Sequence, residues 1–301
     1  MLLLLTLACT PHLPSALPTA GAATPALDPS TVVLRDLRWS PEHGVDVYLR
    51  DDDEPKRLLV FVHGGSWVGG DKDHLAMAPG LVDWFLDRNV VVAAVDFPLA
   101  SRPDAQGPRV TPLDQSRAVT KATAWVRDQS EAWGVTDRRP VWMGFSSGAH
   151  LVALAAADEE GLAAAGMTRS DVAAVVSLDV HAYDATYALE QMRGSAVAKN
   201  IRLIEHLFGT TTAEQQRHSP AHLLGTEPMP PSLIVSADPS ARPGSKGRVA
   251  RDASARYQRL LTDRGDHAVH VHFDDETHNG LVRDFGRPGD GPTEAVEAFL
   301  R

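Results

Sequence analysis

A single cysteine, Cys9, leaves the 301-residue chain with no intrachain disulfide and no thiolate set for zinc. Basic residues are scarce beside acidic ones: 29 Lys and Arg against 39 Asp and Glu, a formal net charge of −10. No basic stripe is at hand to displace counterions from a phosphate backbone, which argues against a nucleic-acid binder. Aromatics are few, at 6%, and no apolar run approaches the roughly 20 residues of a membrane-spanning helix. What remains is an ordinary globular composition, 43% hydrophobic and 23% charged. A chain this long can bury about three quarters of its unfolded surface in one large domain.

Residues 1–30 stand apart. Leu2–Ala8 is a short apolar run of the size of a secretory hydrophobic region. Leu7-Ala8-Cys9 resembles a bacterial lipoprotein box, in which Cys9 would carry a lipid anchor and Thr10–Ser30 would tether the domain. Alternatively, Ala20, Ala22 and Ala23 form an ordinary cleavage site. Either processing route predicts an exported protein. A frayed apolar terminus without a signal function would leave it cytoplasmic.

Residues 31–301 alternate between strand and helix patterns. Thr31–Trp39 and Val45–Leu49 read as strands, the second with Val45, Val47 and Leu49 on one face. Leu58–Val62 and Val90–Val95 are continuous apolar runs, as strands buried on both faces should be. Pro140–Gly144, Val172–Val180, Ser232–Val235 and Ala268–Phe273 complete eight strands. Helices are expected at Leu81–Arg88, Pro112–Trp133, Ala149–Ala157, Val249–Arg264 and Thr293–Leu300. This order predicts an α/β fold, a mostly parallel eight-stranded sheet with helices on both faces. The connection at 181–231, with helix-like Ala185–Met192 and Asn200–Phe208, is far longer than ordinary loops and reads as a small lid. Its Leu207 and Phe208 are expected among the walls of an acyl pocket.

Gly144-Phe145-Ser146-Ser147-Gly148 matches G-x-S-x-G, a pattern expected by chance in about one chain in ten of this length. Its setting is more specific, because it follows a buried strand and opens an Ala-rich helix. There the serine sits on a sharp turn, flanking glycines avoid clashes, and the helix amino terminus faces developing negative charge. Ser146 is therefore the expected nucleophile; Ser147 is out of register and contributes its backbone N–H. His63-Gly64-Gly65-Ser66-Trp67 follows the third strand, where the other half of an oxyanion hole belongs. Gly65 and Ser66 are the expected donors there, with His63, Gly64 and Trp67 supporting the loop. Gly69-Gly70-Asp71-Lys72 lacks the ending of a phosphate loop.

Acid and base should follow Ser146 in the order Asp, His at the ends of later strands. Asp238, after the seventh strand, and His278, after the eighth, take those places, with Asp252 in reserve as the acid. His150 lies on the helix of Ser146 and cannot easily reach over the turn. His267, His270 and His272 offer a metal reading without a third ligand of obvious spacing, so no metal or other cofactor is expected. Asp51–Glu54 reads as a solvated turn.

These segments, over roughly four fifths of the chain from Leu58 onward, resemble the α/β-hydrolase superfamily. Within it they look most like the bacterial esterase/lipase group related to the hormone-sensitive-lipase and kynurenine-formamidase-like branches. Departures are Pro98 where the family has Arg, Ser236-Ala237 before the acid, and an inserted Pro239–Arg248. The resemblance implies a serine carboxylesterase for small to medium esters, with a small-molecule ester as its partner. The alternatives are amide hydrolysis, by an arylformamidase or a peptidase, and a binding protein that has lost catalysis. Oligomeric state is not legible.

Overall fold

The computed structural model describes residues 26–103, 109–193, 200–240 and 245–301. The expected signal segment and Cys9 lie outside the described residues. Eight strands form one sheet in the order β1-β2-β4-β3-β5-β6-β7-β8. They are β1 (Thr31–Arg38), β2 (Gly44–Arg50), β3 (Arg57–Val62), β4 (Val90–Val95), β5 (Val141–Phe145), β6 (Ala174–Leu178), β7 (Ser232–Ala237) and β8 (Ala268–Phe273). β1 and β2 run antiparallel to their neighbours, and from β4 to β8 every pairing is parallel. This is the α/β-hydrolase arrangement.

Ten α-helices are described: α1 (Pro79–Leu86), α2 (Pro112–Gln129), α3 (Ser147–Ala157), α4 (Glu159–Ala164), α5 (Ala185–Met192), α6 (Ile201–Phe208), α7 (Thr212–Arg217), α8 (Lys246–Asp263), α9 (Gly280–Arg283) and α10 (Gly291–Leu300). α2 begins where its sequence dictates. Thr111 and Asp114 form a reciprocal capping box, and Pro112 occupies the first turn. The expected helix to Trp133 instead ends at Gln129 and tightens into a 3-10 turn, Ser130–Trp133.

The strand period of two explains the layers. Leu58, Val60 and Val62 of β3 join one core with residues of α2, α3 and α8, whereas Leu59 and Phe61 join the other with α1, α9 and α10. β4 is buried at all six positions, as a central strand covered on both faces must be. The β8 edge is looser, with Val269 37% exposed.

The 181–231 segment packs into the first core rather than lying over it. Tyr183, Leu189, Met192, Ile204, Leu207 and Phe208 are buried in the same cluster as Trp67 and α3. Phe208 is fully buried, edge-on to both Trp67 and His150 at 5.2 Å. Leu207 and Phe208 are thus core residues and do not line the cavity beside Ser146, a role taken by Leu203 and Ile204. Their placement follows from α6, whose amphipathic period turns Ile204, Leu207 and Phe208 inward together. Phe208→Ala should therefore cost about 3–5 kcal/mol of stability. The check is the urea unfolding midpoint; a loss below about 1 kcal/mol would contradict this packing.

Candidate active site

Ser146 occupies the turn between β5 and α3 with φ 54° and ψ −119°, a backbone conformation that non-glycine residues avoid. The turn is forced from behind. A Cβ on Gly148 would stand 2.1 Å from the Val62 carbonyl oxygen and 2.6 Å from that of His63, so α3 presses directly onto the end of β3. The Ser146 N–H is held by the Leu178 carbonyl at 2.8 Å. Ser147 opens α3, where backbone N–H groups lack acceptors within the helix.

The His63–Trp67 loop turns through three successive positive φ values: Gly65 (135°), Ser66 (56°) and Trp67 (65°). At Gly65 a Cβ would collide with the Gly69 carbonyl at 1.8 Å, so only glycine fits. His63 stacks on Phe97 at 4.4 Å, and its Nδ1 donates to the Gly64 carbonyl at 2.8 Å. Burial holds its pKa below the ordinary value, so the ring supports the loop as a neutral group. Trp67 is pinned at both ends. Its carbonyl accepts from Gln115 Nε2 at 2.8 Å and from the Ala100 N–H at 2.9 Å. Its indole N–H donates to His150 Nδ1 at 3.1 Å.

His150 is the second half of that clamp. Because the indole can only donate, His150 Nδ1 must accept, and Nε2 carries the proton it gives to the His218 carbonyl at 2.9 Å. A doubly protonated ring would set two donors against each other. Complete burial pushes its pKa down to about 3, in agreement with that geometry. One neutral imidazole thus ties α3, the His63–Trp67 loop and the 181–231 segment together, a structural role that its sequence position did not disclose.

The carboxylate that pairs with His278 is not the one expected from the sequence. His278 Nδ1 meets Asp179 Oδ2 at 2.5 Å, and the His278 ring packs on Phe145, the neighbour of Ser146, at 4.8 Å. Asp179 ends β6 with φ 55°, is 5% exposed, and also accepts from the Ala237 N–H at 3.3 Å. Asp238 does not pair with His278. Its Oδ1 accepts from the Ser240 N–H and hydroxyl, at 3.0 and 2.6 Å, and its Oδ2 from the Ser245 hydroxyl at 2.7 Å. Burial works against its ionisation, but these bonds outweigh it and hold the carboxyl below the usual range. Asp238 is an anchor for the loop into α8, committed to its own serines. Asp252 lies on α8 and pairs with Arg248.

Ser66, Trp67, Ser146, Ser147 and Asp179 share one cavity of about 80 Å³, further lined by Val180, His181, Asn200, Leu203, Ile204 and Lys246. Ser146 lines it, and its hydroxyl makes no hydrogen bond among the described residues. Gly64 stands directly behind, where a Cβ would be 3.0 Å from Ser146 Cβ. A larger cleft of about 580 Å³ touches Arg57, Val90, Val141 and Ala174 at the opposite, amino ends of the strands, away from this chemistry. Among the described residues no group of three or more His, Cys, Asp or Glu could hold a metal ion. His270 Nε2 and His272 Nδ1 instead share the Ser236 hydroxyl, each at 2.9 Å.

Comparisons with known proteins agree with this architecture. A family model described as BD-FAE matches residues 45–240. A probable isoprenylcysteine alpha-carbonyl methylesterase of Oryza sativa subsp. japonica is 29% identical over 129 residues, 42% of this chain and 29% of the relative. The chain thus spans under a third of that relative's length. The crystal structure of esterase B from Lactobacillus rhamnosis superposes with a TM-score of 0.68 at 15% identity, covering 91% of this chain and 84% of that one. An esterase of Pyrobaculum calidifontis gives 0.63 at 20% identity, covering 92% and 84%.

His150 makes stability depend on pH. An unfolded histidine takes up its proton near pH 6.5, whereas His150 in the fold stays neutral down to about 3. Between those values the unfolded state binds the extra proton, so this contribution to stability is intact above pH 6.5 and is lost as pH falls. The slope is about 1 kcal/mol per pH unit from this residue. His150→Gln, which can still accept from Trp67 and donate to His218, should flatten the curve of urea stability between pH 6.5 and 4.5. An unchanged slope in that variant would assign the acid sensitivity elsewhere.

Proposed function

The chain belongs to the BD-FAE family, and on that footing we propose that it is a serine carboxylesterase acting on esters with small acyl groups. The observation that carries the reading is the contact between His278 and Asp179 beside a serine held in a strained strand-to-helix turn. The relative named a methylesterase supports ester chemistry, and the cavity of about 80 Å³ favours a short acyl chain.

In this mechanism the Ser146 oxygen attacks the ester carbonyl while His278 Nε2 accepts its proton. Asp179 fixes the imidazole with its proton on Nδ1 and stabilises the cation that forms. The carbonyl electrons move onto oxygen, where backbone N–H groups of Gly65, Ser66 and Ser147 receive the negative charge. Loss of one such donor typically costs about 2.7–4 kcal/mol of transition-state stabilisation. The imidazolium then protonates the departing alcohol as the C–O bond breaks. Water, deprotonated by the same imidazole, attacks the acyl-enzyme and releases the acid. The Ser146–His278 hydrogen bond closes when substrate is bound, as such bonds often do in serine hydrolases.

The sequence features of residues 1–30 support export of this enzyme, with Cys9 as a site of lipid attachment. Expression in a bacterial host should then place it with membranes, and Cys9→Ala should release it; equal partitioning of both would refute the anchor.

The roles are separable by substitution. Ser146→Ala should abolish both ester turnover and labelling by a fluorophosphonate. Asp179→Asn should lower kcat by roughly four orders of magnitude, as the equivalent change does in a serine protease. Asp238→Asn should cost at most about one order, because it loosens a loop rather than the imidazole. Steady-state kinetics on a short-chain nitrophenyl ester checks this, and the reverse ranking of the two Asp variants would overturn the assignment.

A further inference from the structure

The cavity beside Ser146 has a polar corner that ester hydrolysis does not use. His181, two residues beyond Asp179, is 6% exposed, and among the described residues neither ring nitrogen has a hydrogen-bond partner. Buried polar groups almost always have one, so an unpartnered imidazole lining a cavity calls for a ligand. Lys246 lines the same cavity, and its charge reaches His181. Among the described residues Lys246 makes no ion pair. The nearby carboxylates are already engaged, Asp179 by His278 and Asp238 by Ser240 and Ser245.

Lys246 is also in a costly place. It is the first residue of an 18-residue helix with no acidic residue in its first turn. A cation there opposes the positive end of the helix dipole. Lysine, helix terminus and a neutral imidazole N–H together make a corner that favours negative charge.

We propose that Lys246 and His181 form an anion-reading subsite, so that the preferred substrate is an ester carrying a carboxylate a few bonds from the carbonyl that Ser146 attacks. The volume admits only a few heavy atoms, given about 30 Å³ for a water molecule in the liquid. Leu203 and Ile204 line the remainder, leaving room for a short apolar link between the two oxygen-bearing ends. Asp238 serves this corner by holding the Ser245 hydroxyl, one residue before Lys246.

The inference rests on Ser146 as the esterase nucleophile, and its test separates the two. Two matched ester pairs are compared at low ionic strength: acetoxyacetate with isobutyl acetate, and monoethyl succinate with ethyl 4-methylpentanoate. The first pair places the carboxylate on the alcohol side, the second on the acyl side. In one pair kcat/KM should favour the anion by roughly tenfold, the scale of a hydrogen bond to a charged group discounted for solvent. That preference should shrink as salt is added. Lys246→Met should bring the ratio close to one, Lys246→Glu should invert it, and His181→Leu should lower it. Lys246 is exposed, so its variants should fold; circular dichroism verifies this. Equal rates within both pairs, or a preference that survives Lys246→Met, would overturn the subsite while leaving the esterase standing. Absence of turnover for every ester, with no fluorophosphonate labelling, would overturn both.

Discussion

The carbonyl oxygens of Val62 and His63 leave no space for a side chain at residue 148, and the rest of the site hangs on that clearance. Glycine there lets α3 press against the end of β3, and the chain leaving β5 must then turn through a positive φ at Ser146. Such a conformation costs of order 1–3 kcal/mol and persists only where the surroundings overdetermine it. α3 supplies that surrounding: every one of its eleven residues is buried. The same approach brings the His63–Trp67 loop alongside Ser146, and His150, one turn into α3, fastens that loop to the 181–231 segment. The strain at Ser146, the placement of the His63–Trp67 loop and the cavity wall all trace to one short backbone contact.

The sheet was legible because central parallel strands must be apolar on both faces, which makes Leu58–Val62 and Val90–Val95 unmistakable. Boundaries were less so. The expected strand Val172–Val180 stops at Leu178: Asp179 still gives its N–H to the Val235 carbonyl, but its positive φ turns the chain away. α7 escaped notice although Thr211 and Glu214 stand in capping-box spacing, because the helix is only six residues long and lacks an apolar stripe.

At the candidate site, motif spacing singled out Ser146, the His63–Trp67 loop and His278, but chain order did not separate Asp179, which pairs with His278, from Asp238. Both follow Ser146 and precede His278, and both end a strand. The distinction lies in sheet order: β6 neighbours β5, so its tip lies next to the turn of Ser146, whereas β7 is one strand farther out. A second signal was also present in the sequence. Ser240 and Ser245 close to Asp238 supply hydroxyls that occupy its carboxylate, while the Asp179 carboxylate takes its partners, Ala237 and His278, from far along the chain. A buried carboxylate without local partners has to find its partner elsewhere in the fold.

Placing the imidazole's carboxylate on β6 also divides labour between neighbouring strands. In the proposed mechanism the tip of β7 has no duty in proton transfer, so the stretch that follows it is free to drift in length and composition. In evolutionary terms, a lineage with this arrangement can remodel what the pocket accepts through the β7–α8 connection without re-optimising the hydrogen bond between His278 and Asp179. Selectivity and reactivity then become independently heritable traits of one domain.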